Sequence, residues 1–204
     1  NITLVTAEQY ANAAITAGVT DAEIEVAAVS KVTGESALTG VYKAFEANGV
    51  QLDAKRTEVA QQELEVTNKI AQENANAKGF DSSKLDKAMI EIKKELAELK
   101  QKQGQLATKE DIERIINDAL KNNSLQNVIS KDQINALVAF AQNYQNTSAI
   151  DSKQVLEQLN SLSKSVGEKI NSLVEQAKNE GWLDKIVQFF QSIFDAIKNL
   201  FSQN

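Results

Sequence analysis

Twenty-eight carboxylates and twenty-two Lys or Arg side chains are the groups through which this sequence would do chemistry, because it holds no His and no Cys. Without imidazole or thiol, the usual general base, the commonest metal ligand and every thiolate ligand are missing, which excludes most hydrolase and zinc mechanisms. The acids that remain are scattered. Glu63 and Glu65 flank Leu64, and side chains two apart on a helix point to different faces, so they read as solvated surface and not as a general acid/base pair. The turn Thr33-Gly34-Glu35-Ser36 precedes a helix and offers amides to an anion, but Ser36 reads first as that helix's N-cap. The sequence carries neither a Gly-Lys-Ser/Thr nucleotide loop nor an Asp-rich calcium loop with a central Gly. The expectation is therefore no catalytic residue, no cofactor and no metal.

Interaction chemistry, by contrast, gathers at the end of the chain. Trp182, Ile186, Phe189, Phe190, Ile193, Phe194, Ile197 and Phe201 fall on one half of a helical wheel, joined by Leu183, Val187, Ala196 and Leu200. Asp184, Lys185, Gln188, Gln191, Ser192, Asp195, Lys198 and Asn199 fill the other half. Such a face needs cover from the same chain, a second copy, a protein partner or a bilayer surface. Two Asp and two Lys cancel on the polar side, whereas helices drawn to anionic lipid carry excess base, so burial in the protein or its homo-oligomer is favoured over a membrane surface. Docking on its own chain would use the Leu159–Leu173 face, with Gly181 as the hinge.

The elements that must position these groups follow from periodicity. With 204 residues and 42% hydrophobic content the chain is long enough to bury a core, and its net charge of -6 argues against nucleic acid as a partner. Ile2–Val5 and Ala22–Val29 read as strands, the second with Glu23 and Glu25 opposite Ile24 and Val26. Helices at Ala7–Ala17 and Ser36–Gly49 complete a small βαβα unit over residues 1–50. Beyond it, residues 51–204 read as helix throughout, near 53–77, 82–106, 108–122, 130–146, 151–180 and 182–201. Thr108 with Asp111 and Ser130 with Gln133 have the spacing of capping boxes. Leu85, Met89, Ile92, Leu96, Leu99, Gln103 and Leu106 form one heptad seam; Val155, Leu159, Leu162, Val166, Ile170, Leu173 and Ala177 form a second seam, whose extra step of four between Val166 and Ile170 brings its repeat closer to eleven residues. The fold class expected is α+β, predominantly α: a βαβα unit followed by a long-helix bundle or coiled-coil-like hairpins.

Three phrases carry a resemblance. Tyr10-Ala11-Asn12-Ala13 with Thr16-Ala17-Gly18, then Ala37-Leu38-Thr39-Gly40-Val41-Tyr42-Lys43-Ala44-Phe45-Glu46, then Glu63-Leu64-Glu65-Val66-Thr67, resemble successive signatures of an uncharacterised family of secreted Firmicute proteins. The resemblance implies export and a Gram-positive source, and it assigns no functional residue. Its Pro-containing segment is replaced here by Val29-Ser30-Lys31-Val32-Thr33. The expected function is a non-enzymatic secreted or cell-envelope protein that works through helical surfaces. The competing readings are a lipid- or membrane-surface-binding protein using the C-terminal helix, and an enzyme independent of His and Cys.

Overall fold

The computed structural model describes residues 5–19, 22, 24–25, 34 and 37–179, with side chains to residue 172. These form helices α1 (Ala7–Ala17), α2 (Ala37–Ala47), α3 (Ala54–Asn74), α4 (Ser82–Gln103), α5 (Lys109–Asn122) and α6 (Lys131–Gln145), a 3₁₀ turn at Ser148–Asp151, and α7 (Lys153–Asn179). The chain divides into two compact units, Asn1–Val166 and Gly167–Asn204. All that follows on packing concerns the first; the described part of the second is the continuation of α7.

Helices α1 and α3 to α7 begin where a side-chain oxygen satisfies an amide that the first turn leaves unpaired. Thr108 and Ser130 make the capping boxes that their spacing predicts, with Asp111 and Gln133 reaching back to the cap. A third box, Thr6 with Gln9, starts α1, and Asp53 and Asp81 cap α3 and α4. Helix ends agree with the expected boundaries to within three residues in α3 to α6, as does the start of α7.

The apolar faces then meet. α1 packs on α3 and α4, α3 on α6, and α4 on α5 and α6, so that α4 has neighbours on several sides. Leu85, Met89, Ile92 and Leu96 are buried to 1% exposure or less. The seam gives out after them: Leu99 is half-buried, while Gln103 and Leu106 are exposed. Ile112, Ile116 and Leu120 from α5 and Leu137 and Phe140 from α6 close the core around α4. A separate cluster joins Tyr10, Ala13, Ala14 and Ala17 of α1 to Leu38 of α2 and Ala60 and Leu64 of α3.

The α+β expectation is corrected by these observations. Among the described residues there is no strand, and the architecture is all-helical. Val5 tucks into the α1–α3 cluster as the lead-in to the Thr6 cap, and Ala22, Ile24 and Glu25 take no regular structure. Residues 2–4, 23 and 26–29 of the two expected strands lie outside the described residues. Physically, two short segments without further partners make a marginal sheet, and apolar–polar alternation also suits an extended connection with one side against helices. Just after α1, Gln158 Nε2 donates to the Val19 carbonyl at 3.1 Å.

Candidate functional site

One assembly of titratable groups stands out, and it is inside. Lys93 of α4 has no exposed surface, and its Nζ donates to Glu63 Oε1 at 2.7 Å, to Thr16 Oγ1 at 3.0 Å and to the Asn12 carbonyl at 3.0 Å. Thr16 in turn donates to the other Glu63 oxygen, Oε2, at 2.5 Å. Ammonium, hydroxyl and carboxylate therefore close a ring of hydrogen bonds contributed by α4, α1 and α3. The Tyr144 ring of α6 lies over the ammonium, 5.8 Å from Nζ to its centroid, where the negative face of the ring adds attraction.

Burial governs the electrostatics. It holds the Lys93 pKa below the ordinary lysine value; the Glu63 charge and hydrogen bond oppose this, and Arg56 adds to it. Burial, then the Glu63 carboxylate, pushes the Tyr144 and Tyr42 hydroxyls above the ordinary tyrosine value. Lysine, threonine and carboxylate in mutual reach form a set from which a nucleophile and base can be made. In this case all three are closed to solvent, with Thr16 at 0% and Glu63 at 1% exposure. The arrangement can fix helices against one another; it offers no space for a reacting molecule.

The C-terminal end of α1 is held from the same side. Gly18 adopts φ 93°, the left-handed conformation that closes a helix with minimal steric cost to glycine. Arg56 lies against it: Nε donates to the Thr16 carbonyl at 2.8 Å and Nη2 to the Ile15 carbonyl at 2.9 Å. A Cβ at Gly18 would sit 3.1 Å from the guanidinium carbon. Glycine is thus required twice, by its backbone angle and by the approach of Arg56.

On the opposite side of α1 the molecule opens. A cavity of about 790 Å³ lies between α1, the residues Val19, Ala22 and Ile24, and α7. Ala7, Ala11, Ala14 and Ile15 form its α1 wall, and Gln158 and Leu162 belong to its α7 wall. Glu157, Ser161 and Ser165 also line it and are exposed to solvent. At about 100° per residue, Gln9, Asn12 and Thr16 point one way from α1, while Ala7, Ala11 and Ala14 point the other. This helix buries a polar stripe in the protein beside the apolar Tyr10, Ala13 and Ala17, and turns Ala7, Ala11 and Ala14 to the cavity.

The sequence-predicted surface residues Trp182, Ile186, Phe189, Phe190, Ile193, Phe194, Ile197 and Phe201 lie outside the described residues. The reading of Glu63 and Glu65 is half corrected: Glu65 is exposed, but Glu63 is buried against Lys93. Two signals marked the hidden cluster. Lys93 falls inside the apolar stripe Leu85–Met89–Ile92–Leu96, and Gln9, Asn12 and Thr16 recur at helical spacing in a helix otherwise rich in Ala.

The chain matches the family described as Protein of unknown function (DUF1002) over residues 1–162, and it belongs to that family. It is also similar to the uncharacterized protein YpuA of Bacillus subtilis (strain 168), at 35% identity over 208 residues. That match takes in 98% of this chain and 64% of the relative's length. No solved structure matches it. The resemblance seen in the sequence phrases is thereby shown.

Proposed function

We propose that this is a non-enzymatic protein, exported to the medium or cell envelope, that works by contact through the surfaces of its helices. The observation that carries the reading is the sealed state of Thr16, Lys93 and Glu63: the polar groups best suited to joint chemistry serve one another in the interior. Export is what the resemblance of the sequence phrases to an uncharacterised family of secreted Firmicute proteins implies, and contact is supported by the apolar face over Trp182–Phe201 in the sequence. Such a face is costly to leave in water and is met by a second copy or a protein partner.

Two measurements test this together. Fractionation of the source cells should find the chain in the medium or envelope, and sedimentation of the purified chain should show self-association that Phe190→Ser with Phe194→Ser removes while the far-ultraviolet circular dichroism is kept. Retention in the cytosol sinks the export half. A turnover activity lost in Lys93→Met, at a temperature where that variant is folded, sinks the non-enzymatic half.

A further inference from the structure

We infer that the cavity between α1 and α7 is a binding site for a small aliphatic amphiphile, a single hydrocarbon chain whose head group is uncharged or cationic. This goes beyond action through helix surfaces and stands whether or not the protein is exported.

Size comes first. About 790 Å³ falls within the roughly 300–1,000 Å³ of small-molecule sites, which are mostly apolar with a few polar groups. The space exists because of residue choice: at positions 7, 11 and 14, successive turns of α1 carry Ala where a core helix would carry Leu or Ile. Val19 and Ile24 continue the apolar wall, and Ile24 is still 36% exposed.

The orientation of α1 is a second, independent observation. A helix ordinarily buries its apolar stripe and wets its polar one. α1 buries the polar Gln9, Asn12 and Thr16 beside its apolar contacts to α2 and α3, and its rotation is held by Lys93, Glu63 and Arg56. The stripe of Ala7, Ala11 and Ala14 is therefore fixed toward the cavity, where Ala7 and Ala11 are not fully covered by the protein and a hydrocarbon chain would cover them.

Charge selects the head group. Among the described cavity-lining residues the sole ionisable acid or base other than the Tyr10 phenol is Glu157, which is exposed. The Tyr10 hydroxyl is engaged by the Gly34 carbonyl. Ser161 and Ser165, one turn apart on α7, offer hydroxyls to an alcohol, amide or amine. A carboxylate or phosphate head would instead face the Glu157 charge with no cation among the described lining residues to offset it.

The test uses the whole chain and the neutral fluorophore N-phenyl-1-naphthylamine, displaced by decan-1-ol or by decanoate. Wild type should bind the fluorophore saturably at one site, and decan-1-ol should displace it at about fivefold lower concentration than decanoate, the scale of one Coulombic contact in water. Ala11→Trp, which fills the cavity, should weaken fluorophore binding tenfold or more. Should that variant fail to fold, Ser161→Trp, at an exposed position, should weaken it likewise. Glu157→Gln should bring the alcohol and the carboxylate together. Absence of saturable binding, or full binding by a folded Ala11→Trp and by Ser161→Trp, overturns the site; equal displacement by alcohol and carboxylate in wild type overturns the head-group assignment.

Discussion

Replacing Lys93 by Met removes the ammonium while keeping most of the stem that fills the α1–α3–α4 junction. Three hydrogen bonds end at Nζ, to Glu63, Thr16 and the Asn12 carbonyl, and the paired side chains are 0% and 2% exposed. Breaking a buried pair on one side strands the other charge, which costs about 3–5 kcal/mol. For a chain of this length that is roughly 6–20 °C in melting temperature. Glu63→Met should cost about as much for the mirror-image reason. The double variant should lie within about 2 kcal/mol of wild type, because apolar replacement of both partners removes the stranded charge, and Thr16 keeps the Asn12 carbonyl as acceptor at 3.4 Å. Urea denaturation followed by circular dichroism gives all four corners of the cycle. pH adds a second reading through Glu63→Gln. With its counter-charge gone, Lys93 is held by burial further below its ordinary value of 10.5. The unfolded chain then binds more protons between the folded and unfolded pKa values, so stability rises with pH across that window. The deficit of Glu63→Gln should be full below the lowered value and shrink as pH climbs toward 10.5. Additive single losses in the double variant, or a deficit in Glu63→Gln that grows with pH, would refute the reasoning.

Two further outcomes are expected. The Tyr144 hydroxyl is buried without a hydrogen-bond partner among the described residues, so Tyr144→Phe should leave thermal stability unchanged or raise it by up to about 1–3 kcal/mol, the cost of an unsatisfied polar group; a fall of that size would show a partner. Arg56→Lys should lose most of what Arg56→Ala loses, roughly 1.5–3 kcal/mol, because an ammonium does not reproduce the planar fork that meets the Thr16 and Ile15 carbonyls. Full rescue by Lys in a melting experiment would refute the fork.

Local signals in the sequence carried most of the helical architecture. Thr108 with Asp111 and Ser130 with Gln133 placed two helix starts because a cap is a contact between residues three apart. The same rule holds for Thr6 and Gln9, the box that starts α1. Strand pairing is decided by partners distant in sequence, so alternation around Ile24 did not establish a sheet. Glu63 shows the same limit for the site. Its burial depends on Lys93, thirty residues away, and on Thr16, forty-seven residues away. Read within α3 alone, it was one more surface acid.

The two features that local reasoning misjudged or missed meet on one helix. Thr16 and Asn12 bind the buried ammonium from one side of α1, and Ala7, Ala11 and Ala14 line the cavity on the other. A purely structural helix at this place has a cheaper solution, with Leu or Ile on the inward stripe and no ions to desolvate. Sequences that specify a single fold agree with local rules nearly everywhere, and departures concentrate where function sets the residues. Replacing the inward polar stripe by hydrocarbon would leave α1 free to choose which apolar face to bury. The ion pair removes that choice, since only one rotation of α1 brings Thr16 to both Lys93 and Glu63. Its contribution is then the orientation of α1, and through that orientation the wall of small side chains that keeps the cavity open.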